Sequence, residues 1–238
     1  MIKSFHYPIC PLSRQIRVYL AELNLEVTLV KEAYWERRED FIKINPASTL
    51  PVIIFEGEIV IGYYAITEFL SEKFDNFYLM PKTLEEKTKV RQEIYWFNEK
   101  FYREVSKLIL EEKMIRLLRR IGGPRSEYIR AAKANLLPHF KYLTSRLNAH
   151  SYITSEQITC ADVVAASHIS TIDYFGEIKW DNFPLIKQWY AVIKSRPSFR
   201  SILQDHIAGF TPYKDYTNLN FFILCSEPFY RYRTKSGS

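Results

Sequence analysis

Leu50-Pro51-Val52-Ile53-Ile54-Phe55-Glu56-Gly57-Glu58-Ile59-Val60-Ile61 holds two short apolar runs separated by a glycine-bearing turn. Runs this short, rich in β-branched residues, suit strands rather than helices. The stretch therefore predicts a hairpin, 52–55 against 59–61, turning at Glu56-Gly57-Glu58. Upstream, residues 2–6 read as a buried strand stopped by Pro8 and Pro11. Ile16, Val18, Leu20 and Leu23 give 13–23 a helical pattern, and 25–30 is again apolar and β-branched. A strand, helix and strand this closely spaced imply parallel strands joined by a crossover. Residues 35–44 read as a short charged helix ending before Asn45-Pro46. Downstream, 63–74 closes the unit as a helix, so the order is βαβαββα.

Residues 75–83, with Asn76 and Pro81, form a linker, and beyond them the pattern is helical throughout. A long run over 84–118 ends at Gly122-Gly123-Pro124. Further helices are expected over 126–147, 159–175, 184–195 and 197–203, with Pro138 kinking the first of these or starting a new turn. Past Asp205 regularity fades. The chain thus divides into an α/β domain over 1–75, an all-helical domain over 84–205 and a tail over 206–238.

With 238 residues, 47% hydrophobic and only 7 Gly, the chain buries a full core. The net charge of +6 is a mild basic excess, and no RNP-like motif or metal-finger spacing accompanies it, so no nucleic-acid partner is expected. Cys10, Cys160 and Cys225 are odd in number and far apart, as reduced thiols in a cytosol would be. The five histidines show no paired-ligand spacing, and no metal is expected. The N-terminus lacks a signal-peptide core, and no apolar run approaches a membrane span. A cytoplasmic protein without membrane insertion is the expectation.

Two motifs sharpen the fold. Leu50-Pro51 precedes the third strand, the place where thioredoxin-like folds keep a cis proline that offers a backbone edge to a peptide-like ligand or partner. A proline that merely begins an edge strand is the alternative. Thr159-Cys160-Ala161-Asp162 before an apolar helix reads as a capping box, with Thr159 and Asp162 satisfying two orphan amides. With the βαβαββα order, these residues make the chain resemble the glutathione transferases: a thioredoxin-like half, then a helical half, usually paired as a homodimer.

That resemblance makes Gly62-Tyr63-Tyr64-Ala65-Ile66 informative. The family normally places Glu and Ser where Gly62 and Tyr63 stand, and these hold the γ-glutamyl end of glutathione. Losing two charged hydrogen bonds would weaken glutathione by about 3–6 kcal/mol, or roughly two to four powers of ten. Pro51, Gly62 and Tyr63 thus mark a degenerate glutathione site, and no cofactor is expected. Trp35-Glu36-Arg37-Arg38, Trp96-Phe97-Asn98-Glu99-Lys100-Phe101, Arg103-Glu104-Val105 and 193–200 occur in series and narrow the resemblance to alphaproteobacterial division proteins of this fold. Those proteins bind filaments of the tubulin-like protein FtsZ, which implies a non-catalytic role organising FtsZ at the division site.

The alternative is a glutathione-dependent thiol transferase. Cys10-Pro11-Leu12-Ser13 precedes the first helix, where omega-type transferases keep their reactive thiol. A helix N-terminus lowers a thiol pKa, so Cys10, aided by Ser13, is the candidate nucleophile; a small buried thiol beside a turn is the competing reading. Two stretches are candidates for filament docking. One is Trp35 with Arg37 and Arg38, types that dominate interfaces, unless Trp35 simply packs on its own domain. The other is the region 107–133, net +5, where Arg116, Arg119 and Arg120 share one helical face at i, i+3 and i+4 spacing. A solvated helix end explains them equally well. Trp96, Phe97 and Phe101 read as core or dimer seam. The tail, with Tyr213, Tyr216, Phe221, Phe222, Phe229, Tyr230, Arg231, Tyr232 and Arg233, either meets a partner or packs back on the helical domain.

Overall fold

A computed structural model describes residues 1–218. Phe221, Phe222, Cys225 and the aromatic and basic residues 229–233 lie outside the described residues. The first half contains β1 (Ile2–His6), α1 (Pro11–Glu22), β2 (Val27–Lys31), α2 (Glu39–Ile44), β3 (Val52–Phe55), β4 (Glu58–Ile61) and α3 (Tyr63–Lys73). The sheet runs β2-β1-β3-β4, with β1 and β2 parallel and the other pairs antiparallel. This is the expected βαβαββα order. The hairpin turns on Glu56 and Gly57 with φ of 53° and 95°. Two positive φ values make a turn whose twist matches that of the flanking strands.

The segment 35–44 is not one helix. Tyr34–Glu36 forms a 3-10 turn, and Arg37 at φ 50° stops it before α2 begins at Glu39. A left-handed residue cannot continue a right-handed helix. Helix α1 starts two residues earlier than its apolar pattern suggests, because Pro11 takes the first helical position, where its missing N–H costs nothing.

The helical half opens with Thr83 accepting from the Glu86 amide at 3.3 Å. Its first helical run spans 84–118, with the π-helical segments Trp96–Ser106 and Glu111–Ile115 inside it. The helix Ser126–Ala149 runs through Pro138 without a new element beginning there. Cys160–Tyr174 is buried along its whole length, and Pro184–Lys194 and Pro197–Leu203 pack around it. Its capping box forms: the Thr159 amide donates to Asp162 at 2.9 Å. Asp162 also accepts from the Ile153 amide and from Trp189 Nε1, both at 3.0 Å. Phe97 and Phe101 belong to the core, while Trp96 is half-buried and stacks on Tyr142 with centroids 4.2 Å apart.

Helix α1 joins the halves with side chains that an apolar pattern alone would pass over. Arg14 is buried and donates to the Pro8 carbonyl (2.8 Å), Ser170 (2.9 Å), the Ile202 carbonyl (3.1 Å) and Asp205 (3.3 Å). Arg17 grips both oxygens of Asp205 at 2.8 Å. Gln15 and Asn98 exchange amide hydrogen bonds at 3.1 Å, and Asn98 continues to His168 at 2.9 Å. Glu22 accepts from Arg196 at 2.7 Å. The chain beyond Asp205 folds back here: Tyr216 is buried and meets Tyr174 edge-on at 5.2 Å, and the Tyr213 amide donates to the Tyr174 carbonyl at 2.9 Å.

Candidate functional site

The C-terminal end of β1, the start of α1, the turn after β2, the cis Leu50–Pro51 bond and the start of α3 converge where the two halves meet. Cys10 is the residue before α1 and only 5% exposed. Burial raises its thiol pKa, and nearby Ser13 and the Arg14 charge offset this only in part. The expected lowering by the helix N-terminus is therefore reversed, because desolvation of a thiolate outweighs a dipole at one helix end. Ser13 is buried too, its hydroxyl 3.5 Å from the Tyr7 amide.

At Gly62, the N-cap of α3, φ is 86° and ψ 147°. A side chain at this backbone is strained even though a Cβ would meet no atom within 4 Å. Glutamate is thus disfavoured here by the main chain itself. Tyr63 turns away to the helical half, donating to Glu99 at 2.7 Å, and burial and this carboxylate raise its phenol. The Pro51 carbonyl accepts from the Gly62 amide at 3.0 Å.

Two tyrosines that the sequence pattern did not single out complete the cleft. Tyr34 feels the fields of Cys10, Glu111 and Arg119, and Tyr102 those of Cys10, Tyr34, Glu111 and Tyr63. Burial, more than any of these charges, raises both phenols. A sequence signal for them existed in part: Tyr34 adjoins Trp35, and Tyr102 lies between Phe101 and Arg103. Trp35 packs edge-on against Tyr7 at 4.7 Å and is half-buried. Arg38 is exposed and bonds Glu32 through Nε at 3.2 Å and Nη2 at 2.5 Å, while Arg37 is exposed without an ion pair among the described residues.

The three arginines of 116–120 do not share a face. The helix ends at Leu118, and Arg120 sits at φ 55°. The Ile121 amide donates to the Arg116 carbonyl at 3.0 Å and the Arg120 amide to that of Leu117 at 3.1 Å, a left-handed helix ending. Arg116 folds back to the carbonyls of Ile121 (3.1 Å) and Gly123 (3.2 Å) and to Glu112. Lys113 and Lys133 both pair with Glu177, and Arg125 pairs with Glu112. Arg119 and Arg120 stay exposed, and the Arg119 charge reaches the Tyr34 phenol. The candidate docking stretch at Arg119 is therefore within electrostatic range of the one that begins at Trp35.

A second exposed face lies on α3 and the helix 84–118. Tyr64 is 59% and Tyr95 67% exposed, and Thr88, Arg91, Gln92 and Tyr95 line a shallow groove. Arg91 reaches Glu68 of α3 with Nε at 3.0 Å. Among the described residues no cluster of His, Cys, Asp and Glu is arranged for a metal ion, and no helix is long and apolar enough to cross a membrane.

Comparison with known proteins adds to this geometry. Residues 9–73 match the model for the glutathione S-transferase N-terminal domain and 125–206 that for its C-terminal domain. FtsZ-localized protein A of Caulobacter vibrioides is 34% identical over 220 residues, covering 91% of this chain and 96% of that one. A glutathione S-transferase from Rhodospirillum rubrum superposes with a TM-score of 0.88 at 35% identity, covering 92% of this chain and all of that one. FzlA from C. crescentus superposes at 0.87 with 33% identity, covering 92% and 99%.

Proposed function

Given that the chain belongs to the glutathione S-transferase family, we propose that it is a non-catalytic division protein that binds and organises FtsZ filaments at the division site. The observation that carries this reading is the state of the family's cleft. Its glutathione-clamp positions are a glycine at positive φ and a tyrosine bonded elsewhere, while its rim presents Trp35, Arg37, Arg119 and Arg120. A half-buried tryptophan beside exposed arginines suits an acidic polymer surface, with binding that weakens as salt rises. Similarity to FtsZ-localized protein A supports the choice of partner. The thiol-transferase alternative loses ground because the Cys10 thiol is buried and raised. No cofactor is required.

The reading includes a homodimer built through Tyr64, Tyr95 and the groove that Thr88, Arg91, Gln92 and Tyr95 line. A two-fold pair presents two equal docking rims, so one dimer joins neighbouring filaments. Co-pelleting with polymerised FtsZ, followed by electron microscopy, tests this. The wild type pellets and bundles or curves filaments, whereas Tyr95→Glu pellets without joining them. A wild type that stays in the supernatant rejects the proposal.

A further inference from the structure

At one end of the sheet, β2 is an edge strand: it pairs with β1 and, among the described residues, with nothing else. Roughly half of an edge strand's main-chain N–H and C=O groups face outward. Edges are ordinarily blunted by proline, bulges or charge. Val27-Thr28-Leu29-Val30-Lys31 has no proline and one charge, at its last position, and the central Leu29 is 46% exposed. Beside the strand runs an apolar groove between β2 and α1, lined by Leu20, Leu25, Val27 and Leu29 and closed by Arg17 and Ser201.

The groove also carries a polar signal. Arg17 is buried, and among the described residues its Nε–H has no acceptor although its other nitrogens bond Asp205 and the Ser201 carbonyl. Arg14 and Arg17 share the carboxylate of Asp205, two positive charges on one negative among the described residues. Lys31 at the end of β2 rests over the Tyr7 ring and makes no ion pair among the described residues. Against these stands Glu26 just before the strand; Glu22, on the same helix, is held by Arg196.

We propose that β2 and its groove form a docking surface for an extended, acidic peptide segment of a partner protein. The segment adds as a fifth strand, its main chain pairing with the free edge of β2 and alternate apolar side chains entering the groove. An acidic side chain meets the surplus charge of Arg17 and Lys31. This surface shares no residue with the cleft rim or the Tyr64–Tyr95 face, so it leaves both available.

The test uses the full chain and a labelled heptapeptide with valine at positions 3 and 5, glutamate at 1 and 7 and threonine between them, so that one face carries both the apolar and the acidic side chains, followed by fluorescence anisotropy. A matched peptide with lysine in place of glutamate is the control. Saturable binding of the acidic peptide, at least about tenfold weaker for the lysine peptide and lost in Leu29→Lys, supports the proposal. Leu29 is exposed enough that the variant retains the wild-type circular dichroism spectrum and thermal midpoint; should it unfold, Thr28→Pro at the same exposed edge replaces it. Absence of saturable binding, or equal binding by both peptides or by the variant, overturns it. So does concentration-dependent self-association abolished by Leu29→Lys, which assigns the edge to a second copy. Protection from exchange, in the free full chain, of those amides of 27–31 that point away from β1 likewise overturns it and assigns the edge to residues 219–238.

Discussion

Cys10 shows how one residue's surroundings override its position. A thiol at the start of a helix has a dipole in its favour, but full burial penalises the thiolate more, and the net shift is upward. The difference in thiol labelling between wild type and Cys10→Ser should therefore be negligible over minutes with Ellman's reagent under native conditions and amount to one equivalent in urea. Rapid native labelling of that one thiol would favour the transferase alternative. This environment was not legible in the sequence, because Tyr34 and Tyr102, which share the cleft with Cys10, come from segments 24 and 92 residues away. Gly62 stood out in the sequence because the resemblance places glutamate there, whereas its positive φ, which disfavours a side chain, was not legible. Arg37 likewise broke a predicted helix by a left-handed backbone that arginine does not announce.

Among the elements, α1 and the end of the 84–118 run differ most from their sequence patterns. Hairpin, strands and helix order came directly from short β-branched runs, Gly57 and the prolines, since these act locally. The polar residues of α1 act at long range: Arg14, Gln15 and Arg17 reach Ser170, Asn98 and Asp205, partners 83 or more positions away. Arg14→Ala removes the donor of four bonds, three of them buried, and takes a partner from Ser170 and from the Pro8 and Ile202 carbonyls, while Asp205 keeps Arg17. It should destabilise the fold by about 3–5 kcal/mol in urea unfolding. Arg116→Ala, which removes bonds at an exposed helix end, should cost only about 1 kcal/mol. Equal losses would show that α1 does not staple the halves. Arg116 also explains why the expected basic face dissolved: the helix stops at Leu118, and the backbone turns left-handed at Arg120.

For the molecule as a whole, buried histidines set the pH response. Burial, with lesser help from Arg17, Lys31 and Arg14, holds His6 at about 3; burial alone holds His168 at about 3, and burial with the Lys100 charge lowers His139 despite Glu104. Above pH 6.5 these groups are neutral in both folded and unfolded chains and contribute no slope. As pH falls below about 6.5 the unfolded chain takes up protons that the folded one refuses, so stability declines. At pH 5 His6 and His168 each remove about 2 kcal/mol. Asp162, raised to about 6 by burial, opposes this by roughly 1 kcal/mol because its folded form binds a proton first. Urea midpoints measured from pH 8 to 5 should be level and then fall; a rise would reverse the assignment.

In the proposed function, the family's glutathione cleft serves as a rim for a filament. The most direct test of this role is the affinity of Trp35→Ala and Arg119→Glu for polymerised FtsZ by quantitative co-pelleting, each variant first shown to keep the wild-type thermal midpoint. The account predicts binding at least about tenfold weaker for both, with the wild type itself weakening as salt rises. Wild-type affinity in both variants would contradict it.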